Sequence, residues 1–251
     1  MSGGLPVRIV AATLALSLLA AAGWWRLAYP SHTHRYRLTL EVEADGEVRS
    51  DSGVVEVSWR RQPKILPQVL EWTETVRGQA VPVDLGRHGL LLAVLAGAGP
   101  RELWGVSAPY LAMRAFAGKA PGLRPLLPSW RGPGLGMYPP GEGAAVTARL
   151  PAGSRAALDA DSMPQLTWLS DPNDRTTARP VPPGELPTAI APGVRLRCMA
   201  VEITRERVTT NLGKRLPWLA EFVRMTRKGP QSFSPGAYQL TWYALSKGVE
   251  P

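Results

Sequence analysis

Residues 9–25 run seventeen positions without a charge, closed by Arg8 on one side and Arg26 on the other. As a helix this stretch measures roughly 25 Å, a little short of the ~30 Å hydrocarbon core of a bilayer. Leu27, Ala28 and Tyr29 lengthen it if Arg26 turns its guanidinium toward the head groups. Trp24, Trp25 and Tyr29 gather at one end, where amphipathic rings favour the membrane–water interface. Residues 1–29 therefore read as a single transmembrane anchor, with Trp24, Trp25, Arg26 and Tyr29 as its interfacial residues. The competing reading is a signal peptide cleaved near Ala22, since Ala20-Ala21-Ala22 meets the small-x-small rule. A buried core helix is disfavoured by Pro6 and by the absence of a polar face.

Beyond the anchor the period changes from helical to twofold. After a polar linker at 30–35, Tyr36, Leu38, Leu40 and Val42 alternate with Arg37, Thr39, Glu41 and Glu43, which predicts a half-buried strand. Asp45-Gly46 is a turn pair that tolerates positive φ, and Val55, Val57 and Trp59 repeat the alternation, with the return strand expected several residues past the turn. Residues 72–77 alternate again. Pro82 confines the strand around Val81 and Val83 to a sheet edge, and the unbroken apolar run 90–95 predicts a strand covered on both faces. The first third thus reads as an antiparallel meander.

Ser107 followed by Pro109 predicts a helix through Phe116, stopped by Gly118. Residues 144–150 and 166–169 read as strands, and 194–203 as a long strand that buries Cys198. Thr209, Thr210 and Asn211 cap a short amphipathic element carrying Leu212, Leu216, Leu219 and Phe222. Tyr238, Leu240, Trp242 and Ala244 return the chain to a sheet edge. Proline- and glycine-rich loops interrupt the pattern at 121–143 and 176–192. The predicted fold is mainly β (α+β): a transmembrane helix followed by one antiparallel β-rich globular domain, 36–251, with one or two short helices.

Chemistry is sparse. Three histidines and a single cysteine leave no Gly-x-Ser-x-Gly, His-Glu-x-x-His or paired-cysteine pattern, and no cofactor or metal is expected. His32 and His34 could share a strand face, but no Cys, Asp or Glu near them completes a shell. The cluster Asp171-Pro172-Asn173-Asp174 reads as Asx turns, because the glycine and distal glutamate of a calcium loop are missing. The net charge of +9 is unevenly placed: residues 195–228 hold nine basic and three acidic side chains. Arg195 and Arg197 share a strand face, and Lys214 and Arg215 border Trp218. These five form the candidate surface for anionic lipid head groups or an acidic protein partner. Clustered lysines and nucleic-acid modules are lacking, so no nucleic acid is expected.

Two stretches carry a resemblance. Tyr36 to Glu43 with Ser52 to Val57 after an N-terminal anchor is one; the other is Gly193 to Arg197 with Val201 to Thr204, Val208 to Thr210 and Lys214 to Leu219. Together they resemble a family of bacterial proteins with one N-terminal membrane segment and no assigned function. The resemblance implies a bacterial membrane-associated protein and carries no activity with it; the anchor is expected to cross a bacterial inner membrane once. The expected function is a non-enzymatic, membrane-tethered binding or scaffold module with a basic face, its domain on the periplasmic side. The alternative is an exported, hydrolase-like enzyme whose site is built on carboxylates such as Asp159 with Asp161 or Asp171 with Asp174.

Overall fold

The computed structural model describes residues 4–64, 66, 70–96, 106–120, 140–228 and 245–248. An apolar helix, α1 (Gly4–Ala28), precedes a domain of two antiparallel sheets and a few short helices. From Ile9 to Ala28 the helix is long and apolar enough to cross a bilayer, and none of that segment is buried against the domain. Trp24 and Trp25 are exposed, and Tyr29 packs on both, 4.5 Å from the ring of Trp25 and 6.4 Å from that of Trp24.

Only Tyr29 and Pro30 separate α1 from β1 (Ser31–Ala44). The expected linker is therefore part of the sheet. Ser31 to Arg35 pair with Arg60 to Glu56 on β2 (Glu47–Arg61), and the β-prone run through Trp59 pulls them into register. The two strands are joined by Asp45 and Gly46 with φ of 54° and 82°, a two-residue turn whose twist matches the flanking strands. The return strand thus begins at Glu47, earlier than its alternation suggested. β3 (Trp72–Gln79) completes the meander, and then the chain changes sheets.

Ala80 is the corner. β4 (Val81–Asp84) and β5 (Leu90–Ala93) belong to a second sheet, ordered β4-β5-β7-β8 with β7 (Leu166–Leu169) and β8 (Ala178–Val181). The first sheet runs β10-β3-β2-β1-β9-β6, with β6 (Arg155–Ala157), β9 (Arg195–Ile203) and β10 (Ser246–Lys247). Pro82 and Pro180 both fall on outer strands, where a missing N–H costs no ladder bond. β8 lies inside the stretch 176–192 that reads as loop: its four residues include a proline and show no alternation.

The main core lies between the sheets. Tyr36, Leu38, Leu40 and Val42 meet Val81, Val83, Leu91, Ala93 and Leu166 there. A smaller core covers the other side of the second sheet, where Leu90, Leu92 and Val94 pack with Leu212, Leu216, Leu219 and Phe222. The apolar run 90–95 is thereby explained: odd positions face one core and even positions the other. The 3-10 turn Leu212–Lys214 and helix α5 (Leu219–Lys228) supply the second cover.

Helix α2 (Ala108–Phe116) is buried against the first sheet and fastened by Tyr36, whose hydroxyl donates to the Ala108 carbonyl at 2.9 Å. Ser107 occupies the cap position, though its side chain makes no capping bond. Residues 144–150, expected as a strand, instead belong to helix α3 (Pro140–Thr147) and the turn after it. Pro140 and Glu142 favour a helix start, Ala144 and Ala145 favour its continuation, and buried Thr147 bonds back to the Gly143 carbonyl. A short helix α4 (Leu186–Ala189) follows β8. The expected strand at 238–244 lies outside the described residues; Ser246 and Lys247 do pair with the edge of β3.

Gly141 shows how closely α3 lies on the sheet. A Cβ there would stand 2.1 Å from the ring of Trp72. Gly141→Ala must displace that half-buried indole, so thermal unfolding of the full chain in detergent should show a loss of about 1–3 kcal/mol. An unchanged melting temperature would refute the close packing of α3.

Candidate functional site

The five residues of the expected basic face fall into two places. Arg195 and Arg197 sit at the start of β9, at the far end of β1 from the helix exit. There the register slips: Glu41 pairs with Cys198 and Val42 with Leu196, so Arg197 is the extra residue of a bulge. Both arginines flank Glu43. Arg195 is its cross-strand partner and Arg197 bonds its carboxylate at 3.2 Å. Cys198 is half-buried on this outer face and not enclosed in the core as expected, because it alternates with the inward-facing Met199 and stands opposite Glu41.

Lys214, Arg215 and Trp218 lie over the second sheet instead. Arg215 pairs with Asp84 at 3.3 Å, and Trp218 donates its indole N–H to the Pro172 carbonyl while packing edge-on to Phe222. Trp218 is thus a packing residue at the rim of the smaller core. Lys214 and Arg195 remain exposed.

The outer face of the first sheet holds a charge lattice that spacing alone did not reveal. Glu56, 8 % exposed, accepts from Arg35 at 2.7 Å and Arg77 at 3.2 Å, its two carboxylate oxygens divided between them. Residues 204–210 cross this face as a strap. Arg35 also donates to the carbonyls of Arg205 and Glu206, and Arg37 pairs with the Glu206 carboxylate. Thr209 then exchanges two hydrogen bonds with the backbone of Val54, occupying the edge of β2 that β3 leaves open. Alternating Arg and Glu on neighbouring strands was the available signal; the strap that buries Glu56 lay beyond it.

His34 faces the opposite way, into the core. It is 5 % exposed, stacks on Tyr36 at 6.3 Å, and neither ring nitrogen has a partner. Burial pushes it down to about 4. His32, on the same face, stacks on Trp72 at 5.9 Å and is lowered by burial and then by Arg149. Among the described residues no group of three or more His, Cys, Asp or Glu could hold a metal ion.

The carboxylate pairs of the enzyme reading are placed as follows. Asp171 and Asp174 accept from the backbone N–H groups of Asn173 and Thr176, the expected Asx turns. Asp159 is exposed and stands 4.0 Å from Lys119. At the hairpin tip, hydrogen bonds from Arg87 and then His88 hold Asp45 below the usual carboxylate range.

No family model, curated protein or solved structure matches the chain. The geometry of its own residues is what bears on function.

Two outcomes follow. An unfolded histidine takes a proton near 6.5 and folded His34 only near 4, so wild type should lose stability relative to His34→Phe as pH falls through that window. The pH-dependent part of the difference should reach about 3 kcal/mol near pH 4 and vanish above pH 7 in urea titrations. For the charge lattice, Glu56→Gln leaves two half-exposed arginines facing a neutral amide. A cost of about 1–2 kcal/mol is expected, smaller than for a fully buried pair because water reaches both guanidinium groups.

Proposed function

We propose that this chain is a non-enzymatic binding or scaffold module tethered by α1 to a bacterial inner membrane, with its β-rich domain on the periplasmic side. What supports the tether is that none of the apolar segment from Ile9 to Ala28 is buried among the described residues. Ile9, Val10, Leu14, Leu16, Leu18 and Leu19 are all more than half exposed. Leaving six such side chains in water forfeits about 1.5–3 kcal/mol for each, which a bilayer returns. Trp24, Trp25 and Tyr29 form the interfacial belt, with Arg26 beside them. A signal peptide removed after Ala22 is the alternative use of the same helix.

The basic end of the domain supports a partner that is not the same bilayer. β1 carries Glu43, with Arg195 and Arg197, roughly 40 Å along the strand from the helix exit. Screening over ~8 Å at physiological salt leaves head groups at the base of the domain no hold on arginines that far out. An acidic protein surface suits this end better, with Arg195 and Lys214 free to meet it. Carboxylate chemistry has less support, since Asp171 and Asp174 are already engaged in their own turns.

Membrane fractionation with an alkaline carbonate wash tests the tether: the full-length chain should stay in the pellet, and uncut protein in the supernatant would end the reading. Arg195→Glu with Lys214→Glu should abolish cross-links formed in native membranes by a photoreactive residue at Thr210 while leaving fractionation unchanged. Cross-links that survive both substitutions would remove the acidic partner.

A further inference from the structure

Outside α1, four large apolar side chains among the described residues are strongly exposed: Val48, Leu66, Leu70 and Met225. Two of the four, Leu66 at 57 % and Leu70 at 71 %, belong to one loop, residues 62–71, between β2 and β3. The loop's position gives the pair a meaning. β2 runs antiparallel to β1, and Arg60 is level with Ser31, the first residue of β1, with Tyr29 and Pro30 between it and the helix exit. From Gln62 onward the chain therefore leaves the sheet at the end where α1 enters it. Arg61 fixes this arrangement, since its backbone N–H donates to the Pro30 carbonyl at 3.1 Å and its guanidinium reaches the Ala28 carbonyl at 3.3 Å.

The loop is closed at its neck. Gln62 bonds Glu71 through the backbone at 2.9 Å, its side-chain amide donates to the Leu70 carbonyl at 2.6 Å, and Arg61 pairs with Glu71 at 2.7 Å. Arg60, Arg61 and Lys64 are exposed around it, with Arg26 on the neighbouring helix. Exposed leucines close in the chain to the exposed cations Arg60 and Lys64, at the end of the sheet where the apolar helix enters it, match the chemistry of an anionic interface: acyl chains for the leucines, phosphates for the cations. We infer that Leu66 and Leu70, between β2 and β3, make a second membrane contact, seated in the head-group region of the bilayer that α1 enters and holding the domain in one orientation on it. This rests on the tethered reading of α1.

The occupant is the lipid surface itself, because the loop is continuous with the point where the tether meets it. A test uses the full chain with Cys198→Ala in vesicles of phosphatidylethanolamine and phosphatidylglycerol. An environment-sensitive fluorophore is placed on single cysteines at Leu66, Leu70, Val48 or Leu18. Lipids brominated near the head group should quench most of the emission from Leu66 and Leu70 and leave Val48, beside the far hairpin turn, unquenched. Lipids brominated near the chain ends should quench Leu18. Quenched Leu18 with Leu66 and Leu70 as bright as Val48 would overturn the loop contact and leave the tether standing. An unquenched Leu18 with quenched Leu66 and Leu70 would overturn the tether and, with it, a contact to the bilayer that α1 enters, and four bright labels would end both.

Discussion

The pairing of β1 with β2 governs the rest of the domain. Fourteen residues of β1 are matched without interruption, and directly opposed residues share a face. Tyr36, Leu38, Leu40 and Val42 are therefore inside, and Arg35, Arg37, Glu41 and Glu43 outside. A slip of one residue would exchange the two sets. It would carry four charges into the core and remove the Tyr36 hydroxyl from the carbonyl that holds α2. It would also separate Glu56 from both of its arginines. The core, the fastening of α2 and the outer charge lattice are three consequences of one register.

How much of this could be read in advance depended on whether an element's neighbours were implied by its own residues. β1 wrote its burial in strict alternation, because one face meets a core and the other meets water and a strap. The run through Leu95 announced two covered faces, although which elements covered them was not legible. α3 and β8 depart from the sequence reading for different reasons. Each is short: α3 carries its helix signals in Pro140, Glu142, Ala144 and Ala145 beside an apolar run that also suits a strand, and β8 takes its state from pairing to β7. The turn at Asp45-Gly46 was recognised, but polar residues 47–52 hid the start of β2, since pairing with β1 and not burial makes them strand.

The basic surface shows the same division. Counting charges located the excess in residues 195–228, and the fold then distributed it over two sheets. Arg197 and Arg215 each meet a carboxylate contributed by a distant strand, Glu43 and Asp84, and Arg205 and Arg207 ride on the strap. Exposed pairs of this kind contribute little to stability, about 0–1 kcal/mol each. Their effect is on the surface potential: a stretch with net +6 in sequence presents a milder field in space. Arg195 and Lys214 stay exposed, at separate places. That arrangement does not form a compact anion pocket from the two.

The connection between helix and sheet sets what kind of tether the chain can be. A long flexible linker would let the domain tumble, so that any face could meet any neighbour. Here two residues intervene, and one of them is proline, whose fixed φ removes most of the remaining freedom. Arg61 adds a cross-brace by bonding to carbonyls on both sides of that joint, at Ala28 and Pro30. A helix that enters lipid at this point would impose its direction on β1 almost directly. The domain would then have a near end and a far end. Loop 62–71 lies at the first, and the Asp45 turn with its flanking arginines at the second. For the tethered module proposed above, a joint of this sort would hold the far end of the domain at a defined height above the bilayer.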